Sequence, residues 1–329
     1  MLHSTNFTGN NQIESNSFMK ILLFGGSGWL GHHIALNLAA EKYDLTIVTR
    51  GRMKTFLGEI SCLKVINADK NDEAAMKQIF ETPYTHVIDT VPTEQSITLI
   101  RRHAKHLQHY LHCSSTGGYT PLPFIPCNET AFYKGFASGT GWDQKRIVDN
   151  LVLKLFREQG FPATVIRPCY ITGPGMLPMD NFGGRRADFI ADILAEKPLD
   201  LPNDGRALLQ PIHVRDLANS FRLSMIHPNA SIGQIYNICL SHAFSLNEYL
   251  ELTASVFNRK PVIHYMPVEA MLEKYGTAIN ETGLKFLAEH MCFTIDKAVR
   301  DLEYKPSCTP EEAVIETALW AAETTGCKF

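Results

Sequence analysis

No apolar run in this 329-residue chain approaches the roughly 18–20 residues that a membrane-crossing helix needs. None of the eight cysteines, Cys62, Cys113, Cys127, Cys169, Cys239, Cys292, Cys308 and Cys327, belongs to a CxxC pair. Zinc-ribbon and thioredoxin-like spacings are thereby removed. Charge of one sign is also missing. Against 34 Asp+Glu stand 31 Lys+Arg, a formal net charge of −3, which argues against a nucleic-acid binder relying on a broad basic field. Internal repeats and low-complexity tracts are absent. What is present, 45% hydrophobic and 20% charged residues, is ordinary globular composition with enough apolar material for a core.

The opening stretch MLHSTNFTGNNQIESNS is polar and lacks the apolar segment of a secretory signal. The expectation is a cytoplasmic protein with reduced thiols. Residues 1–18 carry too little apolar surface to offset the entropy of ordering. They are expected to be a disordered extension, with Met19 a candidate natural start.

From Met19 onward, short β-rich runs alternate with helical stretches. KILLF precedes GHHIALNLAAEKY; LTIVTR, CLKVINA and THVIDTV follow; TEQSITLIRRHAKHL precedes YLHCSS. Such alternation predicts right-handed βαβ units and a parallel sheet covered on both faces. A helix is predicted from about Trp142 to Gln159, with Gly160 as its C-cap and Pro162 blocking continuation, before the strand ATVIRP. The fold class is α/β: a doubly wound parallel sheet of the Rossmann type. After Gly173 the texture becomes Gly- and Pro-rich. ADFIADILAE reads as a helix, KPLDLPNDGR as turn-rich, GQIYNIC as a strand, and SLNEYLELTASVF as a helix with a Ser245/Glu248 capping box. The predicted organisation is a dinucleotide-binding domain over 19–175 with a returning segment at about 208–240. A smaller C-terminal substrate lobe takes 176–207 and 241–329, above the carboxyl edge of the sheet where ligands sit in such folds.

Gly25-Gly26-Ser27-Gly28-Trp29-Leu30-Gly31 follows the first predicted strand and opens a helix, with glycines spaced G-x-x-G-x-x-G at Gly25, Gly28 and Gly31. Missing Cβ atoms permit a tight turn and close approach of a pyrophosphate, whose charge meets the helix N-terminus. Its place at the head of a βαβ series points to dinucleotide binding. At the end of the second strand, a carboxylate would hydrogen-bond the ribose of NAD and repel a 2′-phosphate. Thr49 stands there, followed by Arg50 and Arg52. This favours NADP slightly over NAD, the alternative being solvated surface arginines. Asp69 in NADKND is placed to meet the adenine, or to cap a helix.

With the glycine spacing, HCSSTGGY, IRPCYITGPG and QPIHVRDLA in view, residues 19 to about 325 resemble the extended short-chain dehydrogenase/reductase superfamily. That group contains the NAD-dependent epimerases and dehydratases acting on nucleotide sugars. The sequence is most similar to an atypical branch that includes chloroplast stem-loop RNA-binding proteins. Active relatives use a Ser or Thr after the fifth strand and a Tyr-x-x-x-Lys on the next helix. The hydroxyl binds the substrate oxygen, the tyrosine moves the proton, and the lysine holds the nicotinamide ribose and lowers the tyrosine pKa. Ser115 matches the first role, with Ser114 and Thr116 as alternatives, and Lys145 matches the lysine. The tyrosine is missing: Gly141 occupies its position. Substitutes among Tyr119, Tyr133, Tyr170, Cys169 and Asp143 stay open, Tyr119 being the candidate set beside Ser115 and Lys145. Asn181, Arg185 and Arg186 are candidates for a substrate diphosphate, the alternative being a solvated helix start. His213 and Asp216 are expected to be structural. Thr116 and Gly117 stand where sugar 4,6-dehydratases carry an acidic pair, which disfavours that reaction.

His103, His106, His109 and His112 recur every three residues, but a three-residue step drifts around a helix of about 3.6 per turn, so no metal site is predicted. The leading expectation is an NAD(P)-dependent epimerase or oxidoreductase acting on a nucleotide sugar or similar polyol, a homodimer by the same resemblance. The competing one is a non-catalytic dinucleotide-binding sensor or RNA-associated protein. Gly141 supports it and the net charge opposes its RNA form.

Overall fold

β1 (Lys20–Phe24) is an apolar run with Ile21, Leu22, Leu23 and Phe24 all fully buried, as a strand covered on both faces requires. A computed structural model of the chain describes residues 19–51, 63–131 and 141–327, with the side chains of 141–143 not included. The expectations for residues 1–18, Arg52 and Tyr133 therefore lie outside the described residues. After β1 come helix α1 (Trp29–Ala40), β2 (Asp44–Thr49), β3 (Lys64–Asn67), α2 (Glu73–Ile79) and β4 (His86–Asp89). These are followed by α3 (Glu94–His103), β5 (His109–Cys113), α4 (Gly141–Gln159) and β6 (Ala163–Pro168). The later strands are β7 (Tyr170–Thr172), β8 (Pro198–Pro202), β9 (Leu208–Leu209), β10 (Pro211–His213), β11 (Ile235–Ile238), β12 (Phe244–Ser245) and β13 (Val262–Met266). A seven-stranded parallel sheet runs β11-β6-β5-β4-β1-β2-β3. Register is direct, for example Phe24 against Val48 on one side and Asp89 on the other. Strand order reverses beside β1, and that reversal opens a crevice beyond the carboxyl ends of β1 and β4.

Two compact units divide the chain. Among described residues, the first comprises 19–51, 63–114, Ile147–Ile166 and Ala218–Ile235. Its core joins Leu22, Phe24, Val87, Ile97, Ile100 and Tyr110 to Val148, Val152 and Leu155, one face of α4. Each such aliphatic side chain stabilises by roughly 1.5–3 kcal/mol. The exposed Lys64–Asp44 pair at 3.2 Å contributes at most about 1 kcal/mol, so burial dominates. Helix ends are fixed locally. Thr93 and Ser96 form a reciprocal capping box on α3, Asp72 caps α2, and Gly160 at φ +67° ends α4 with its N–H on Phe156 O at 2.9 Å.

Among the described residues, 115–131, 141–146, Arg167–Leu217 and 236–327 form the second unit. It therefore takes in 115–131, 141–146, 167–175, 208–217 and 236–240 as well as the described residues of the lobe read from the sequence. KPLDLPNDGR is not merely turn-rich, since β8 lies within it and pairs in parallel with β13, Leu199 opposite Ile263. β7 pairs with β10 and β12 with β9. Ser245 and Glu248 form the expected capping box at the start of helix Leu246–Ser255. The last helix, Pro310–Thr325, buries Ala313, Val314, Ala318 and Ala321 and receives Gly173 N–H on Thr317 Oγ1 at 2.8 Å.

Candidate functional site

β1 hands the chain to α1 through a turn that side chains cannot enter. Gly25 has φ +80°, and a Cβ on it would lie 2.1 Å from Thr90 Oγ1. A Cβ on Gly31, in the first turn of α1, would lie 2.1 Å from Gly25 O. Strand end and helix start are thus in backbone contact, closed by Gly28 N–H on Gly25 O at 2.9 Å. Gly28 is the N-cap of α1 and supplies no side-chain cap, and the first turn holds no acidic residue. The backbone N–H groups and the positive end of the helix dipole therefore meet no acidic side chain from that first turn. A pyrophosphate fits that cradle. Ser27, Gly28, Trp29 and Leu30 are all half-buried around it.

β2 ends beside the turn. Thr49 donates its hydroxyl to Ser27 Oγ at 2.9 Å and accepts from Gly51 N–H at 3.2 Å, tying the β2 loop to the glycine turn. Arg50, next in sequence, is exposed. Asp69 accepts from Asn71 N–H at 2.9 Å and shapes the loop after β3, while the cap of α2 is Asp72. A brace on the far side of the turn is not apparent in the sequence. Asp89, at the end of β4 and fully buried, takes Lys70 Nζ at 2.6 Å, Val91 N–H at 3.1 Å and Ser96 Oγ at 3.3 Å. Lys70 also donates to Val91 O. Thr90 in turn donates to Phe24 O at 3.2 Å, so the β3, β4 and β1 loops are held as one rim.

In the second unit, Ser115 is half-buried and caps a 3₁₀ turn, Thr116–Tyr119, accepting from Gly117 N–H at 3.1 Å. Thr116 is buried and donates to Pro168 O at 3.2 Å, a backbone-supporting contact. Lys145 is half-buried on α4. Ser114, by contrast, belongs to the first unit and donates to Asp149 Oδ2 at 2.9 Å, so its hydroxyl turns toward α4.

Tyr119 requires a correction. Its side chain is fully buried, its phenol accepts from Arg167, and the guanidinium lies 4.8 Å over its ring. Burial pushes the phenol up to about 12, against the lowering effect of Arg167. A buried phenol so placed is a poor proton acceptor near neutrality. Tyr170 accepts from Met179 N–H at 2.6 Å, and Cys169 is buried.

Asn181, Arg185 and Arg186, the candidates for a substrate diphosphate, are engaged by their own chain. Asn181 is buried, donates to Asp200 O at 2.9 Å and accepts from Arg186 at 3.2 Å. Arg185 donates to Leu177 O and, at 2.8 Å, to Ile171 O, with its guanidinium 4.8 Å over the Tyr170 ring. Arg186 meets Asp188 at 2.9 Å and Asp192 at 3.0 Å. Buried Asp180 gathers the N–H groups of Phe182, Gly184 and Arg186. A substrate phosphate would have to displace these contacts. His213, fully buried 3.2 Å from Glu316, and Asp216, accepting from Ser307 N–H at 2.9 Å, take structural places.

The four spaced histidines go separate ways. His103 ends α3, whereas His109 and His112 lie on β5 and bond Thr164 at 2.8 Å and Asp149 at 2.7 Å. Burial drives the His109 imidazole down to about 3, so it stays neutral. Among the described residues, no three His, Cys, Asp or Glu side chains are grouped to hold a metal ion, and no helix is long and apolar enough to cross a membrane.

Known proteins share the architecture. The chain is 25% identical over 315 residues to the chloroplast stem-loop binding protein of 41 kDa b of Arabidopsis thaliana, covering 89% of this chain and 77% of that protein. A UDP-glucose 4-epimerase from Stenotrophomonas maltophila, solved with bound NAD and formylated UDP-arabinopyranose, superposes with a TM-score of 0.74 at 17% identity, covering 94% and 100% of the two chains. A UDP-N-acetylglucosamine 4-epimerase from Methanobrevibacter ruminantium, solved with UDP-N-acetylmuramic acid, gives 0.72 at 17% identity over 94% and 99%. At that identity they establish the shared fold alone. The model of the NAD dependent epimerase/dehydratase family matches residues 21–239, from the first residues of β1 to just past β11. Through that match, the glycine turn and the strands around it place the chain in the NAD-dependent epimerase/dehydratase family.

Proposed function

We propose that this protein is an NAD(P)-dependent epimerase or oxidoreductase acting on a nucleotide sugar or a similar polyol. The observation that carries it is the glycine turn, where Gly25 and Gly31 exclude any Cβ and the N-terminus of α1 has no side-chain cap. Bound NAD(P) supplies a hydride acceptor for a substrate carbinol. Gly28 to Gly31 would hold its pyrophosphate on backbone N–H groups. Arg50, with no carboxylate at Thr49, favours a 2′-phosphate and hence NADP. Ser115, by its match to the family motif, hydrogen-bonds the reacting substrate oxygen. Lys145 would hold the nicotinamide ribose and contribute positive charge where the carbinol proton leaves. With Gly141 in the tyrosine's place and Tyr119 buried, a residue outside that motif, or solvent, must accept the proton.

The first experiment is mass spectrometry of the nucleotide released when purified protein is denatured. Near-stoichiometric NAD or NADP supports a retained, internally recycled cofactor and an epimerase, and it settles the Arg50 question. Empty protein that binds added NADPH reversibly supports a reductase. Empty protein that binds neither nucleotide overturns the proposal.

Gly141 and the stem-loop binding relative favour a second reading, a non-catalytic nucleotide-binding protein associated with RNA. Tight RNA binding that falls steeply with salt supports it; no binding at low salt removes it.

A further inference from the structure

We propose that Asp149 is a positioning residue: a buried carboxylate on α4 that fixes that helix in register against β5 and so sets the placement of Lys145 and Ser115. This rests on the roles given to those two residues in the proposed function. Asp149 is fully buried, flanked on its helix by Val148 and Val152 of the apolar core. Its Oδ1 takes His112 Nε2–H at 2.7 Å and its Oδ2 takes Ser114 Oγ–H at 2.9 Å. His112 and Ser114 are two residues apart and share one face of the strand line, so the carboxylate spans a full strand repeat. His112 Nδ1 is buried without a hydrogen-bond partner.

Apolar side chains could hold α4 to the sheet equally well without specifying its register; a buried carboxyl group with two directional hydrogen bonds does specify it. A slip of one residue moves a helix by about 1.5 Å and turns it by about 100°, which would undo both bonds together. Lys145 lies four residues before Asp149, on the same stripe of α4, and Ser115 directly follows Ser114. Both residues assigned to the chemistry are thus one helical turn or one residue from the clamp.

A double-mutant cycle tests this on the full chain, with NADPH and NADH titrated by fluorescence and thermal midpoints recorded alongside. Asp149→Asn keeps the volume but replaces one acceptor oxygen by a donor. The expected result is about tenfold weaker nucleotide binding, comparable to Lys145→Ala, with the double variant no weaker than Lys145→Ala alone. Non-additivity together with a thermal midpoint that does not fall into the titration range separates positioning from a general loss of structure. Effects that multiply in the double variant, or unchanged affinity in Asp149→Asn, overturn the proposal. Should Asp149→Asn fail to fold, Ser114→Ala takes its place in the same cycle, with the same two criteria. A wild-type protein that binds neither nucleotide, or a Lys145→Ala variant that binds normally, overturns the functional reading and the clamp with it. Both outcomes are seen before any substitution at 149 or 114.

Discussion

The glycine turn after β1 and the loop of residues 177–186 are both rich in polar groups, and they treat those groups in opposite ways. In the turn, shape is held by backbone contact between Gly25 and Gly31, and the first N–H groups of α1 have no side-chain cap. In the loop, Asp180 collects three backbone N–H groups, Asn181 meets Asp200 O, and Arg185 meets two carbonyls. The same residue types that bind phosphates elsewhere are here engaged by their own chain. A helix start shaped by main chain, with no side-chain cap, marks a ligand site better than the identity of the side chain does.

The largest effect should come from Gly31→Val, whose Cβ would press on Gly25 O. Nucleotide affinity should fall at least about 100-fold, since the cradle must open to admit the side chain. Near-normal NADH or NADPH titration would erase the distinction between turn and loop. Next, Ser115→Ala should leave nucleotide affinity intact and slow the hydride step by roughly 10²-fold, read by single-turnover cofactor reduction once a substrate is found. Full activity would move the role to Thr116 or Ser114. Smallest should be Arg185→Ala: about 1–3 kcal/mol of stability in urea unfolding, from two hydrogen bonds and a cation–π contact, with UDP and NADH affinities unchanged. Lost UDP binding at unchanged stability would restore the phosphate role to Arg185.

Much of the first unit is legible in the sequence because its signals are local. KILLF is a buried strand by composition, Trp142 to Gln159 a helix by period and by Gly160, and the glycines require no partner to be understood. β8 and β13 are not legible in the same way. Pro198–Pro202 contains two prolines and an Asp, and it becomes a strand because Val262–Met266 pairs with it from some sixty residues away. Site residues divide along the same line. The tight turn at Gly25 and Gly31 could be read from spacing. That Tyr119 is covered by Arg167, or that Ser114 turns to Asp149 while Ser115 does not, depends on contacts between distant segments that no spacing encodes.

The contact between Gly25 and Gly31 has a kinetic consequence. Because the turn is shaped by main chain meeting main chain, it exists before any nucleotide arrives, and binding need not order it. Association at this cradle should therefore behave as docking to a preorganised surface, with little conformational entropy lost and an on-rate governed by encounter. Discrimination between nucleotides would then reside in how long each stays.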